Sequence, residues 1–223
     1  MTQKKETLLL YSLLILEFII LFNFNEAHIS IFLSSMICGS PSSAIFIKEY
    51  LNKGLITKKE AKYLMKCTIF INPLFVVGTI GIKVFNSRNI GVLLLILTYI
   101  TNMIKAFYFR KNFKSHFMKK NTVKEPVINI FIATIKKSML ALLNILGFII
   151  IFNLLITLIT YIFHPNIYIT TFINIFLEIT SGIIKISSLD INIFLKIFIS
   201  YITLSLGGIC ILMQTRSIFL NDA

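Results

Sequence analysis

Hydroxyl and amide side chains interrupt two apolar stretches in the first half of the chain. Ser40, Ser42 and Ser43 flank Pro41 in the first stretch, and Asn72 precedes a proline in the second. Proline removes a backbone donor and clashes with the preceding turn, so neither stretch can be one regular helix. A half-helix starting near Ser42 and Ser43 would offer free amides and two hydroxyls, and Asn72 adds a donor and an acceptor. These residues are predicted to bind a small polar or anionic solute; the alternative is that they only satisfy backbone groups freed by the prolines.

Polar side chains also lie in apolar stretches of the second half. Glu178 stands inside one of them, and a carboxylate within a membrane is costly enough to suggest a function. It is predicted to carry a coupling proton or Na⁺, with a structural role beside a buried amide or lysine as the alternative. Thr180 and Gln214 are predicted to contribute further solute-binding groups.

Catalytic and metal-binding motifs are missing from the sequence. It contains no His-Glu-x-x-His, no glycine-rich phosphate loop and no Gly-x-Ser-x-Gly, so the chain is predicted not to be an enzyme and to use no cofactor. The histidines have no metal-ligand spacing. Cys38, Cys67 and Cys210 have neither metal nor disulfide spacing. No metal site is expected.

The composition is that of a membrane protein. Of the 223 residues, 57% are apolar and 14% are charged, and the mean hydropathy is +0.87. A soluble domain of this size does not need so much apolar surface. The net charge of +13 comes mostly from lysines in short segments between apolar stretches, as in cytoplasmic loops. Nucleic acid is therefore not expected as a partner, whereas the lipid bilayer is.

These features predict an all-α, polytopic membrane protein with discontinuous helices, formed as a single membrane domain over residues 1–223. The first broken-helix unit covers residues 31–85, and the second covers residues 167–216. A basic cytoplasmic loop is predicted at residues 110–137. The predicted helix breaks are Gly39, Pro41, Pro73, Gly182, Gly207 and Gly208.

Charge distribution suggests a topology. Residues 8–24 form the first apolar stretch, and residues 48–66 contain many lysines with a capping box at Thr57 and Glu60. Placing the N-terminus, both lysine-rich segments and Lys185 in the cytoplasm gives seven crossings. Alternatively, a broken stretch is a re-entrant hairpin that returns to the side from which it entered. Hydropathy does not distinguish such a hairpin from a crossing. If the two broken-helix units are repeats of each other, they are parallel in the seven-crossing arrangement and could be inverted in the re-entrant one.

Five short motifs resemble those of sporulation integral membrane proteins of the YlbJ type, within the nucleoside-recognition or Gate domain superfamily. The first is similar to the family's Ser-Gly-Tyr-Pro-x-Gly-Ala, with Ser40 in place of tyrosine and Ser43 in place of the second glycine. The others are similar to its lysine-rich linker, its Asn-x-x-Pro-Leu-Phe segment, its Leu-Glu-x-Thr-x-Gly and its Phe-Gly-Gly-Leu-Ser. In this chain they lie at residues 38–44, 53–61, 72–81, 177–182 and 206–210.

The resemblance implies transport of a small solute, either a dipicolinate-like carboxylate or a nucleoside, in a bacterial cell membrane. The alternative function is a non-transporting membrane subunit or scaffold that needs a partner chain. Its interface would be the lysine-rich helix or the faces marked by Gly78 and Gly81. Under either function the chain could assemble as a homo-oligomer or with a partner membrane subunit.

Overall fold

The computed structural model describes residues 21–113 and 126–220, in which every regular element is a helix and no strand occurs. The predicted all-α fold is therefore confirmed. The α-helices are α1 Glu26–Cys38, α2 Ser42–Asn52, α3 Lys58–Cys67, α4 Arg88–Phe109, α5 Val127–Phe163, α6 Ile167–Leu177, α7 Ile179–Ser188, α8 Ile193–Leu206 and α9 Gly208–Leu220. A π-helix covers Phe75–Val84, and a 3₁₀ turn covers Arg110–Asn112.

Three helical stretches are long and apolar enough to cross a membrane. They are Arg88–Asn112, Phe131–Phe163 and Ile193–Phe219, with 25, 33 and 27 residues. At 1.5 Å per residue even the shortest is longer than the roughly 30 Å hydrocarbon core. Together with the many exposed apolar side chains, these lengths fit a protein that sits in a bilayer.

Helices α1 and α2 form a hairpin, called hairpin 1. The chain turns back at Gly39 and Pro41, as predicted, and the hydroxyls of Ser30 and Tyr50 share a hydrogen bond of 2.8 Å between the two arms. Each arm has 13 residues or fewer, so neither is longer than about 20 Å. The first broken stretch is therefore a re-entrant hairpin and not a crossing.

The break in the second apolar stretch begins at residue 68, earlier than the predicted break at Pro73. Helix α3 has the expected capping box between Thr57 and Glu60 and ends at Cys67. Residues 68–72 are not helical, and Pro73 starts the next helical turn, where its missing N–H is not needed. The following π-helix packs closely on α4, since a Cβ on Gly81 would lie 2.7 Å from the Gly91 Cα. Gly78 faces open space instead.

Helices α6 and α7 form hairpin 2. Helix α6 ends at Leu177 and α7 begins at Ile179, so the turn lies at Glu178. The predicted break at Gly182 is wrong: this glycine is inside α7, where a Cβ would meet the Ile175 Cα of the opposite arm at 2.7 Å. The last break is where it was predicted, with Gly207 ending α8 at φ +86° and Gly208 starting α9 at φ +58°.

The two hairpins enter from opposite ends of the fold. Helix α8 runs parallel to α4, because hydrogen bonds join Thr101 to Tyr201 and Lys105 to the Ser205 carbonyl. The open end of hairpin 2 lies at the start of α8, where Lys196 donates to the Ser187 carbonyl; it is thus level with the beginning of α4. The open end of hairpin 1 lies beyond the other end of α4, where the rings of His28 and Phe113 are 5.1 Å apart.

This arrangement corrects the predicted topology. Both broken stretches double back, so the seven-crossing arrangement and the parallel repeat are wrong, and the inverted alternative is the observed one. Lys185, on hairpin 2, lies at the end of the fold opposite to the lysines of α3. Within the predicted basic loop, residues from Val127 onward belong to α5. Residues 114–125, most of the first apolar stretch and the predicted cytoplasmic N-terminus lie outside the described residues.

Candidate functional site

The two interruptions of the first unit lie against each other. The Ser40 amide donates to the Phe70 carbonyl over 2.6 Å. Gly39 has φ +77°, and a Cβ there would lie 2.6 Å from the Asn72 amide nitrogen. Only glycine suits both the left-handed conformation and this close backbone approach. The turn of hairpin 1 therefore fits directly onto the non-helical segment before the π-helix.

Side chains of α4 satisfy carbonyl groups that these interruptions leave free. The Tyr99 hydroxyl donates to the Met36 carbonyl in the last turn of α1, at 2.6 Å. The Asn102 amide donates to the Ile69 carbonyl at 2.8 Å. Non-helical backbone at membrane depth is tolerated where protein groups or water satisfy it, and α4 supplies such groups for the first unit.

A carboxylate closes the turn of hairpin 2. The Glu178 side chain accepts the amides of Thr180 at 3.0 Å and Ser181 at 2.8 Å, and the Thr180 hydroxyl also donates to it. Glu178 is 3% exposed. Its charge stands at the positive end of the α7 dipole, where an anion is favoured. The last break adjoins this turn, since a Cβ on Gly208 would be 3.0 Å from the Ile179 side chain.

Lys105 connects the two units. Its ammonium donates to the Ser205 carbonyl in the last turn of α8 at 3.2 Å and to the Asn102 side-chain oxygen at 3.4 Å. Since Asn102 also bonds to Ile69, one polar pair on α4 reaches the interruptions of both units. A Cβ on Gly207 would touch the Ile69 side chain at 3.2 Å. The interruptions thus meet beside the second half of α4, around Asn102 and Lys105.

A cavity of about 490 Å³ opens beside this meeting point. We call it the lysine cavity. Both of its charged groups are ammonium groups, from Lys66 and Lys105, and the Lys66 nitrogen lies 5.3 Å from the centre of the Phe109 ring. Ammonium groups and aromatic rings together can hold a small anion with a planar apolar part. The cavity is lined by Lys66, Ile69, Ile104, Lys105, Tyr108, Phe109, Ser205 and Leu206.

Comparison with known proteins points to one relative. The chain is similar to a sporulation membrane protein. It is 28% identical over 97 residues to the sporulation integral membrane protein YlbJ of Bacillus subtilis (strain 168), and the match covers 42% of this chain and 24% of YlbJ. The match thus spans about a quarter of the length of that curated relative. It agrees with the resemblance that the motifs indicate. No family model and no solved structure matches the chain.

The predicted binding residues of the first YlbJ-like motifs lie at the turn of hairpin 1 and at the neighbouring interruption. Ser42 starts α2, and Ser43, 3% exposed, follows it, so the predicted half-helix begins where expected. The Asn72 side chain accepts the Leu74 amide at 2.9 Å, which is the backbone role given above as the alternative. The lining of the lysine cavity does not include Ser40, Ser42, Ser43 or Asn72. Their binding role stays a prediction.

The predicted residues of the second unit are divided between two places. Thr180 and Glu178 lie together at the turn of hairpin 2, where both stabilise the start of α7. Gln214 is 2% exposed, and its amide donates to the Cys210 sulfur at 3.2 Å and faces the Ile145 carbonyl at 3.5 Å. Gln214 therefore lies at the contact between α9 and α5 and not in the lysine cavity.

Sequence analysis missed the polar residues of α4. Lys105 stands near the end of an apolar stretch, where a lysine commonly extends to the membrane surface, and Asn102 lies inside the same stretch. Their spacing in the sequence, three residues apart inside an apolar span, would have placed both on one face of a helix. That signal would have suggested a polar connection buried between helices.

Proposed function

We propose that this protein carries a small polar or anionic solute across a membrane, through the region where the helix interruptions meet. The observation that carries the proposal is the position of the lysine cavity, which lies between the non-helical segment of the first unit and the last turn of α8. Paired interruptions near the middle of a membrane domain are the common site of solute binding in transporters. The name of YlbJ refers to sporulation, and a role in that process is part of the same proposal.

Charge favours carboxylates over nucleosides as the solute. The Lys105 ammonium can turn from its long bonds to Asn102 and Ser205 towards an anion, and Lys66 is exposed at the same cavity. A neutral nucleoside would give these two ammonium groups no negative charge to pair with. A monocarboxylate or dicarboxylate, as in the dipicolinate-like solutes implied by the resemblance, would pair with them.

No chemical transformation is part of the proposal: the chain acts as a carrier, and the end of the fold with the lysines of α3 faces the cytoplasm. Glu178 is retained as the candidate coupling group. Its cap bonds to α7 make it a group whose protonation would loosen the hairpin 2 turn.

Uptake into proteoliposomes tests the proposal. The panel contains dipicolinate, other small carboxylates and several nucleosides, each with and without proton and sodium gradients. We expect saturable uptake of a carboxylate, with a KM raised about tenfold or more by K66Q or K105Q, because a charge-assisted hydrogen bond contributes about 1.5–3 kcal/mol. K105R should keep most of the affinity.

K62Q is the matched control, since Lys62 is exposed on the same helix as Lys66 and does not line the cavity. Its KM should equal that of the parent protein. Absence of uptake by folded, monodisperse protein would contradict the transport proposal. Uptake that is equally fast in K66Q and K105Q would place the solute elsewhere.

A second candidate is a membrane subunit that assembles with another copy of itself. Gly78 faces open space. Leu74, just before the π-helix, and Ile82, within it, are 82% and 50% exposed. This apolar stripe suits close approach of another helix. In that case G78L would disrupt an oligomer seen by cross-linking, whereas K105Q would leave it intact.

A further inference from the structure

A second cavity lies between α5 and hairpin 2, with a volume of about 470 Å³. We call it the polar cavity. Three helices turn polar faces towards it, and on each helix the polar residues are three or four positions apart, which is one helical turn. Its lining is Asn153, Ile156, Thr157, Thr160, Thr170, Asn174, Ser181 and Lys185.

Most of these polar groups keep a spare hydrogen-bonding position. The hydroxyls of Thr157, Thr160 and Thr170 donate to carbonyls of their own helices, which leaves their oxygen lone pairs available. The amides of Asn153 and Asn174 each use one N–H in the same way and retain a second one.

Lys185 provides the charge of the polar cavity. It is exposed, and its ammonium has no hydrogen-bond partner among residues 21–113 and 126–220. With the spare amide hydrogens it can donate to a small anion, and the hydroxyl oxygens can accept from water or from the solute. Seven of the eight lining residues are polar, and an ammonium group with spare amide hydrogens favours water over lipid in this space.

The polar cavity reaches from the open end of hairpin 2 to its turn. Thr160 and Thr170 adjoin the connection between α5 and α6. Ser181 is at the other end, where its amide donates to the Glu178 carboxylate at 2.8 Å. The lysine cavity involves the opposite half of the fold, with Lys66, Tyr108 and Phe109. Water in the polar cavity would thus reach the meeting point of the interruptions from the other end.

We propose that the polar cavity is an aqueous vestibule that binds small anions of the carboxylate class at Lys185 and leads them to the turn of hairpin 2. This proposal rests on the proposed function, because it assigns the half of the path that faces away from the lysines of α3. It adds Lys185 as a residue that determines charge selectivity at the entrance.

Labelling of single cysteines tests this vestibule without any measurement of transport. Thr160 and Ser181 are changed to cysteine one at a time in the full chain with C38S, because Cys38 is the exposed native thiol and Cys67 and Cys210 are buried. Intact cells are treated with a membrane-impermeant anionic thiosulfonate or with its cationic counterpart. A thiol reacts as its thiolate, which forms in water and not in lipid.

We expect both T160C and S181C to react, and to react faster with the anionic reagent. K185Q should lower the ratio of anionic to cationic rates by about threefold or more, since a single charge at the cavity changes the local concentration of ions. K185R should preserve the ratio. L158C and I184C are the matched controls, because these side chains are 54% and 57% exposed on the same two helices outside the cavity; they should stay unlabelled.

Equal labelling of the cavity and control positions, or none at T160C and S181C, would overturn the vestibule. An unchanged rate ratio in K185Q would overturn the role of Lys185. Each variant is checked by size-exclusion chromatography, and the two cavity positions provide independent readings if one fails to fold. Positive labelling with no uptake in proteoliposomes would refute the transport proposal and leave the water-filled cavity in place.

Discussion

The two hairpins share a topology and differ in the side chains that pack against them. At hairpin 1 aromatic rings close the space: Phe24 and Phe113 are 4.9 Å apart between ring centres, and Phe32 and Phe70 are 5.2 Å apart. All four side chains are at most 1% exposed. At hairpin 2 the corresponding space is the polar cavity, lined by threonine, asparagine and lysine. Hairpin 1 is thus packed against aromatic rings, whereas hairpin 2 faces a polar cavity.

The hairpin turns also differ in how their free backbone groups are satisfied. Hairpin 1 uses the main chain, through the bond from Ser40 to Phe70 and the close approach of Gly39 to Asn72. Hairpin 2 uses one carboxylate, Glu178, for the amides of Thr180 and Ser181. A backbone contact needs a fixed shape, whereas a carboxylate depends on its charge. The turn of hairpin 1 therefore depends on backbone shape, and the turn of hairpin 2 depends on one charged side chain.

Substitution of Gly39 is expected to lower the stability of the fold most. G39A would impose a left-handed conformation on alanine and place its Cβ against the Asn72 amide, with a loss of about 3–4 kcal/mol in the free energy of unfolding. G54A is the matched control, because Gly54 has φ +68° with nothing within 4 Å of a Cβ, and it should lose only about 1 kcal/mol. The apparent melting temperature in detergent reports both. Similar losses would show that the backbone contact at hairpin 1 is unimportant.

Substitution of Glu178 is expected to cause the next largest loss of stability. E178A would leave two buried amides and a hydroxyl without their acceptor, with an expected loss of about 2–3 kcal/mol. E178Q keeps an acceptor and should lose less. E49Q is the control. It removes the exposed ion pair with Lys53 at 2.7 Å, and the expected loss in the free energy of unfolding is under about 1 kcal/mol. Equal melting temperatures for E178A and E49Q would contradict the role of the carboxylate as a cap.

We expect His28 to make hairpin 1 sensitive to acid. Burial lowers the pKa of this side chain to about 4, although the Glu60 carboxylate beside it acts in the opposite direction. The unfolded chain, with the ordinary value of 6.5, therefore binds a proton more readily between pH 6.5 and 4, and stability falls as the pH falls through this window. The loss attributable to His28 should be about 2 kcal/mol at pH 5.

Melting temperatures measured from pH 7.5 to 4.5 check this expectation. The slope should be smaller in H28Q than in the parent protein, whatever the effect of the substitution at pH 7.5. Parallel curves for the two proteins would mean that His28 does not contribute to the acid sensitivity of this end.

Tyr99 provides the smallest effect. Y99F would leave the Met36 carbonyl at the end of α1 without its donor, with a loss of about 1 kcal/mol. Y201F is the matched control: its partner, the Thr101 hydroxyl, can still donate to the Leu97 carbonyl, so the loss should be under about 0.5 kcal/mol. A larger loss in Y201F would indicate that the contact between α4 and α8 matters more than the support of hairpin 1.

The sequence was sufficient for the fold class and for most of the interruptions. Glycine and proline marked the turns at Gly39, Pro41, Pro73 and Gly207, because few other residues allow these conformations. The break at Glu178 was misplaced by four residues because Gly182 looked like a turn residue. It is instead a helix residue that lets the two arms of hairpin 2 approach.

The main feature that the sequence did not provide is whether each broken stretch crosses the membrane or doubles back. Hydropathy is the same for a crossing and for a hairpin, and only the arm lengths of 10–13 residues, too short for a bilayer, would have distinguished them. Lys105 was missed as a site residue for a related reason. Its charge suggested the membrane surface, whereas the Ser205 carbonyl, 100 residues away in sequence, provides its partner.

The orientation of the two hairpins is the most direct test of this structure. In the chain with C38S, K58C and S188C each place one exposed thiol at the open end of hairpin 1 or hairpin 2. An impermeant maleimide is applied to intact cells and to inverted vesicles. We expect each position to react from one side only, with K58C and S188C reacting from opposite sides. Reaction of both from the same side would restore the seven-crossing topology and refute the inverted arrangement.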